Sequence, residues 1–410
     1  MNNQTDKLIP ELRFPEFMKN REWNEKTLDD VCDITNGKAN VQDHVENGKY
    51  PLFDRSEVIK STNNFIFDCE AVIIPGEGMR FIPKYYVGKF NLHQRAYALK
   101  DFTCDGKFVY YSMLFNSNLI SRKAVQSTVL SLRLPILQTF PIDVPEESSE
   151  QQKIASCLSS VDEVLTAHIN KLENLKTYKK GLMQNFFPQE GENVPKLRFK
   201  EFENGEDWVE KSIQSLIDDK FIISHLDGNH GALYPQADEF SKEGVPYITA
   251  NDFIGGVVEF TKCKYLPNER AIQFKKGVAK DGDILFAHNA TVGPVAKLST
   301  ELPFVILSTT ATYFRCNNKY LLNDFLKFAL TSPRFVNQYT RVMSQSTRNQ
   351  VPITTQRKFI LQLPLIEEQQ KIADSLSSLD ELIREQTNKI EQLKLHKKGL
   401  MQGLFPKVKI

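Results

Sequence analysis

The chain carries one sequence twice. Residues 150–188 (EQQKIA, LSS, then KKGLMQ and a closing FP) align without a gap on residues 368–406 at an offset of 218 (368 − 150), with 24 of 39 positions identical. A repeat of this length flanked by unlike sequence predicts a duplicated architecture. A second repeat runs at another offset. Leu12-Arg13-Phe14 followed by Trp23 recurs as Leu197-Arg198-Phe199 followed by Trp208, an offset of 185 (197 − 12). The second half therefore holds 33 more residues (218 − 185) between its leading segment and its repeated helix. The order is leading segment, variable middle, repeated helix, then the same again. This places boundaries at 1–148, 149–188, 189–366 and 367–410.

In the repeated segments apolar residues alternate steps of four and three, the seam of a coiled coil. One copy presents Ile154, Leu158, Val161, Leu165, Leu172, Leu175 and Leu182; the other presents Ile372, Leu376, Leu379, Ile383, Ile390, Leu393 and Leu400. About 38 residues at ~1.5 Å each give a rod of roughly 55 Å. Mid-seam the apolar position is taken by His168 and by Gln386. Such a polar residue either fixes register or marks an edge open to solvent. Gly181 and Gly399 interrupt the helices at a cost of about 1 kcal/mol against Ala. Close backbone approach, a docking partner or inheritance from one ancestral copy would each account for them. Two copies in one chain can pair with each other, and an antiparallel pair would relate the middles by a pseudo-two-fold axis. A homodimeric coiled coil is the alternative.

The middles read as mixed α/β. Ala71-Val72-Ile73-Ile74 running into Pro75-Gly76-Glu77-Gly78 predicts a buried strand ending in a glycine turn. Asp283–Ala287, after Lys280-Asp281-Gly282, predicts its counterpart, and Phe108–Leu114 and Leu321–Leu330 predict helices. The ends of the middles match at offset 219: Gln126-Ser127-Thr128 with Gln345-Ser346-Thr347, Phe140 with Phe359, Pro145 with Pro364.

Composition excludes more than it assigns. Apolar content of 41% and charged content of 25% are those of an ordinary globular chain. No apolar run nears the roughly 20 residues that span a bilayer, and the first residues lack the apolar core of a secretory signal. A cytoplasmic protein without membrane contact is expected. The six cysteines never form CxxC, which argues against a zinc ribbon or disulfide framework. A net charge of +1 means that any nucleic-acid site is a local patch. There is no Pro-Pro pair for a base-flipping methyltransferase loop and no GxxxxGK[ST] phosphate loop. No set of acids converging on a metal can be assembled.

The twice-occurring EQQKIA…LSS…DE…KKGLMQ…FP helix, the twice-occurring LRF…W segment and the two diverged middles resemble the specificity subunit of type I restriction–modification systems. The resemblance covers essentially the whole chain. It implies two mixed α/β target recognition domains separated by a long antiparallel two-helix coiled coil, each domain reading one part of a bipartite site in double-stranded DNA. It implies no catalysis in this chain, which would join two adenine-methyltransferase subunits and two translocating endonuclease subunits. S-adenosylmethionine, ATP and magnesium would sit on those partners. Half-sites read from one face of the duplex lie about one turn, some 34 Å, apart, and unlike heads predict an asymmetric target. A non-catalytic coiled-coil scaffold for protein partners is the competing reading.

Phosphate contacts need Lys, Arg, Ser, Thr and backbone N–H groups, while base readout needs Arg, Asn, Gln, Lys or acids on exposed loops. In the first middle the candidates are Arg55 and Ser56 after the Tyr50–Phe53 strand, Arg80 after the glycine turn, Gln94, Arg95, Arg122, Lys123, Gln126, Ser127 and Thr128. In the second they are Asn251, His288, Asn289, Thr291, Arg341, Gln345, Ser346, Thr347, Arg348 and Asn349.

Overall fold

The computed structural model describes residues 8–125, 129–228, 234–345 and 347–406. The chain forms two compact units. Unit 1 runs up to Ile169 and takes in the chain from Lys389 onward; unit 2 is Asn170–Asn388. The boundary falls inside both long helices, Ser148–Phe186 and Ile366–Leu404.

In unit 1 the leading segment supplies Arg13 and Trp23, and strand Asn24–Thr27 then pairs antiparallel with Pro141–Val144. A six-stranded sheet follows, in the order Asp33–Asn36, Ala96–Lys100, Phe67–Pro75, Lys84–Leu92, Tyr50–Phe53, Lys60–Thr62. Its central strand is buried from Ala71 to Pro75. Successive side chains of a strand point to opposite faces. Accordingly Val72 and Ile74 join a core with Leu99, Phe108 and Trp23, whereas Ala71 and Ile73 join Phe53, Phe90 and Leu92. Helix Gly106–Phe115 belongs to the first core, its N-terminus capped by Asp105 Oδ1 accepting from Phe108 N at 2.8 Å.

Unit 2 repeats the plan. Strand Val209–Ser212 pairs with Ile360–Leu363. The larger sheet runs Ile222–Asp227, Ala311–Cys316, Ile284–Asn289, Thr291–Lys297, Val257–Val258, Phe253–Ile254. Where unit 1 uses the single strand Lys84–Leu92, unit 2 uses Thr291–Lys297 in one sheet and Val305–Leu307 in a second, four-stranded one. The added length includes the hairpin Phe253–Val258 and the short strand Val278–Ala279.

The repeated motifs make matching contacts. Arg13 donates Nε and Nη2 to Glu150 Oε1 and Oε2 at 2.8 Å each. Arg198 does the same to Glu368 at 2.8 Å each. The carboxylate side chains are 1% exposed in both pairs. The leading segment is thus clamped to the first turn of the repeated helix. Trp23 adds an Nε1 bond to Glu150 at 3.3 Å, which Trp208 does not reproduce. The next residue ties the helix to the head: Gln151 donates to Pro145 O at 2.9 Å and accepts from Asp105 N at 2.9 Å. Gln369 donates to Pro364 O at 3.1 Å and accepts from Leu322 N at 3.1 Å.

Within unit 1, Ile154 and Leu158 of the first helix share a core with Met401 and Leu404 of the second. Lys397 Nζ donates to Asp162 Oδ1 at 2.6 Å. Trp23, bonded to Glu150, meets Phe405 at 6.1 Å between ring centroids. Residue 150 lies toward 405 and residue 162 toward 397, so these helix segments run antiparallel. Unit 2 repeats the arrangement with Ile372 and Leu376 beside Met183 and Phe186, and with Lys179 paired to Asp380. Of the seam residues, Ile154, Leu158, Leu172, Ile372, Leu376, Leu379 and Ile390 are buried; Val161, Leu165, Leu175, Leu182, Ile383, Leu393 and Leu400 are half-buried. Gln386 is 7% exposed, so it is no open edge. His168 is half-buried. A Cβ on Gly181 or Gly399 would meet nothing within 4 Å, so close backbone approach does not explain these glycines.

Removing one partner of a buried ion pair strands the other charge, at a cost of about 3–5 kcal/mol. Arg13→Ala and Arg198→Ala are each expected to lose about that much in urea denaturation of the full chain. A wild-type midpoint in either variant would show that the clamp is not structural.

Candidate nucleic-acid interface

Sheet topology gathers the loop candidates of unit 1 at one edge. Strand Tyr50–Phe53 runs parallel to Lys84–Leu92, with Phe53 opposite Leu92. Their following loops, Asp54–Ser56 and His93–Arg95, therefore emerge side by side, and His93 N donates to Phe53 O at 2.8 Å. The central strand pairs Pro75 with Ala96, which sets the glycine turn against the same loop; Gly76 N donates to Arg95 O at 2.8 Å. Gly37 closes the edge from the first strand. A Cβ there would lie 1.9 Å from Leu92 O, so only glycine fits.

Around the resulting groove of about 550 Å³ stand Asn40, Gln42, Asp54, Arg55, Glu77, His93, Gln94 and Arg95. Glu77 organises two of its cations. Its Oε1 accepts from Arg95 Nη1 at 2.7 Å and its Oε2 lies 3.8 Å from Arg55 Nη1. Both arginine side chains stay open, 65% exposed for Arg55 and 62% for Arg95. Asp54 shapes the loop by accepting from Ser56 N at 2.8 Å and Lys60 Nζ at 2.7 Å. Burial raises the Asp54 pKa, but Lys60 and Ser56 outweigh it and hold it below the usual carboxylate value. Burial also holds His93 below its ordinary value. Arg80 is exposed just past the turn, where Glu77–Gly78 pairs with Leu130–Ser131. Arg122 and Lys123 are exposed at the end of helix Ser117–Lys123, outside the groove. Gln126, Ser127 and Thr128 lie outside the described residues.

Unit 2 assembles the equivalent loops. Val245–Ile248 runs parallel to Val305–Leu307, so Thr249–Asn251 emerges beside Ser308–Thr310, and Ala250 N donates to Thr310 Oγ1 at 2.9 Å. Ala287 pairs with Ala311, bringing the Asn289–Thr291 tip alongside. Gly228 matches Gly37: its Cβ would lie 1.9 Å from Ser308 O. Asn289 bridges Gln350 and Ala290 N donates to Asn349 O at 2.9 Å, joining the tip to the loop Thr347–Gln350. Asn251, Thr291, Gln345, Thr347, Arg348 and Asn349 are exposed and Asn289 is half-buried; Ser346 lies outside the described residues.

One expectation is corrected. His288 is 1% exposed with Nδ1 3.2 Å from Val351 O, so it packs beneath the tip rather than standing on it. Arg341 pairs with Glu190 at 2.9 and 2.8 Å and, like Arg95 beside Glu77, stays open to solvent at 65% exposure. Among residues not proposed from sequence, Glu77 is the organising acid of the first groove. It stands two residues past Pro75 as Asn289 stands two past Ala287, the residues paired with Ala96 and Ala311, a correspondence that could have found it.

Residues 20–177 and 206–395 each match the family model described as the type I restriction modification DNA specificity domain. Over 416 residues the chain is 23% identical to the MjaVIII type I restriction enzyme specificity subunit of Methanocaldococcus jannaschii, covering 96% of this chain and 93% of that one. It is 26% identical over 202 residues to the EcoDI specificity subunit of Escherichia coli, 44% of this chain and 45% of that one. A crystal structure of a type I restriction–modification S subunit from M. genitalium superimposes with a TM-score of 0.70 at 18% identity, covering 98% of this chain and 100% of that chain. The fold is thus a doubled α/β plan on repeated helices, with polar loops converging at one sheet edge in each unit. The chain belongs to the type I restriction–modification specificity subunit family. No helix among the described residues is long and apolar enough to cross a membrane.

Beneath the second loop cluster, burial pushes His225 down to about 3, the hydrogen bond to Gln356 opposing and the charges of Arg357 and His288 adding to the fall. Unfolded, the imidazole binds a proton near pH 6.5. Between these values the unfolded chain holds more protons, so stability falls as pH drops from about 6.5 toward 3. His225→Phe is expected to flatten this acid limb in denaturation measured against pH. An unchanged slope would mean that His225 titrates normally.

Proposed function

We infer that this chain is the DNA sequence-recognition subunit of a type I restriction–modification complex. Residues 1–148 and 189–366 are the target recognition domains. Each reads one part of an asymmetric bipartite target in double-stranded DNA, through the loops converging on the sheet edge of its unit. Segments 149–188 and 367–410 pair as an antiparallel two-helix coiled coil with pseudo-two-fold symmetry, set the spacing of the half-sites and dock two methyltransferase subunits. Two endonuclease subunits complete the assembly. Methyl transfer, ATP hydrolysis and cleavage belong to those partners, and the complex works in the cytoplasm.

The observation that carries this reading is a contrast. Clamp, helix-to-head bonds and cross-helix ion pairs recur residue for residue, while the loop tips differ. Arg55, Glu77 and Arg95 stand in one unit where Asn251, Asn289 and the Thr347–Asn349 loop stand in the other. An invariant frame with divergent tips is what a module needs to hold its partners constant and vary the bases it reads.

The test is an exchange of heads. With residues 1–148 replaced by those of a relative and the chain assembled with its methyltransferase subunits, methylation mapping is expected to show one part of the target changed, with the other part and the gap retained. An unchanged methylated sequence would refute the assignment.

The net charge of +1 supplies little of the phosphate attraction that dominates DNA affinity. The isolated chain is accordingly expected to bind target DNA much more weakly than the assembled methyltransferase in a gel shift. Equal affinities would show that this chain carries the phosphate contacts itself.

A further inference from the structure

In unit 2 the loop Thr347–Gln350 lies across the end of strand Ile284–Asn289, and Val351 N donates to His288 O at 2.8 Å. Directly behind this seam is a buried polar cluster. Gln356, 0% exposed, donates Nε2 to Val351 O at 2.9 Å. Its Oε1 accepts from Thr312 Oγ1 at 3.0 Å and lies 3.2 Å from His225 Nε2. A glutamine oxygen only accepts, so neutral His225 carries its proton on Nε2. Thr312 and His225 sit on neighbouring strands, Ala311–Cys316 and Ile222–Asp227. Aliphatic residues could fill this space without burying amide, hydroxyl and imidazole together. What the polar cluster adds is direction: it ties the sheet to the one carbonyl that immediately follows the loop.

Unit 1 holds the same carbonyl with different chemistry. Leu132 corresponds to Val351 at offset 219 (351 − 132), and its N donates to Gly76 O at 2.8 Å. Its O accepts from Tyr97 Oη at 3.1 Å. Tyr97 follows Ala96 as Thr312 follows Ala311, and the carbonyls of those two alanines accept from Gly37 N and Gly228 N. The position equivalent to Gln356 is the buried Leu137. One unit therefore pins this carbonyl with an amide, the other with a phenol.

We propose that Gln356 and Tyr97 are positioning residues for sequence recognition. Gln356 fixes the loop Thr347–Gln350 over its strand end, Tyr97 fixes Leu132 just after the strand Leu130–Ser131 that pairs with Glu77–Gly78, and each governs selectivity for one half-site and not the other. This rests on the reading of the two heads as DNA-recognition modules. Neither residue touches DNA; each acts through the backbone carbonyl it holds.

The experiment uses the full chain assembled with its methyltransferase subunits, carrying Gln356→Met or Tyr97→Phe, and a DNA library with single mismatches in each half-site. The head exchange identifies which half-site belongs to which unit. Gln356→Met is expected to reduce the ratio of cognate to mismatched methylation about tenfold at the unit 2 half-site, leaving the other ratio unchanged. Tyr97→Phe is expected to do the reverse. A uniform fall in methylation at all sequences would mark a merely structural role and overturn the proposal, as would wild-type ratios in both variants. Should Gln356→Met fail to fold, Tyr97→Phe, which deletes one oxygen, decides alone. Unmoved ratios beside a successful head exchange sink only the positioning role. A head exchange that leaves the methylated sequence unaltered sinks the recognition reading and this proposal with it.

Discussion

The structure depends on a buried arginine–carboxylate fork made twice. Two parallel charge-assisted hydrogen bonds fix both distance and orientation between guanidinium and carboxylate. Arg13 with Glu150 and Arg198 with Glu368 thus set the leading segment against the first turn of each long helix. The flanking surface pairs repeat as well, Lys153 with Glu16 at 3.3 Å and Lys371 with Glu201 at 3.0 Å. Once the fork is set, the adjacent glutamine meets the loop before the helix and the backbone of the head. The EQQ motif is therefore a two-sided connector, its acid facing the leading segment and its first glutamine facing the head.

The heads vary where the fork imposes nothing. Their common constraint is topological: one parallel strand pair and one antiparallel pair deliver three loops to the same edge, and a glycine at Gly37 or Gly228 lets the backbone pass under the carbonyl of a neighbouring turn. That edge accepts different side chains and even a split strand. The hairpin Phe253–Val258 adds two strands to one sheet without disturbing the order of the other four.

Much of the fold was legible because it is periodic or repeated. The seam residues, the strand through Ala71–Ile74 and the helix around Phe108–Leu114 announce themselves through spacing of apolar residues. The clamp partners were visible only as two separate motifs; nothing local links Arg13 to Glu150 across the whole first head. The loop clusters were partly legible, since strand ends recur in both middles. His288 shows the limit. A histidine at a strand end reads the same in sequence whether it points outward or inward, and an exposed arginine such as Arg341 does not reveal its partner Glu190, far back in the chain. Glu77 was hidden for a related reason. An acid in a glycine turn looks like turn chemistry until two arginines from separate loops arrive beside it.

The compact units also differ in how they use the chain. Unit 2 is one continuous stretch, Asn170–Asn388, whereas unit 1 needs the residues up to Ile169 and also those from Lys389 onward. Met401, Leu404 and Phe405 belong to the same core as Trp23, Phe108 and Leu158. On the ribosome, domains generally fold as units from the N-terminal side; here the place of Met401, Leu404 and Phe405 in the first core predicts the opposite order. The second unit can close as soon as Asn388 has emerged, while the first waits, its core unfilled, for some of the last residues described. Until then Trp23 and Phe108, already in contact with each other, lack the ring of Phe405 that closes their cluster.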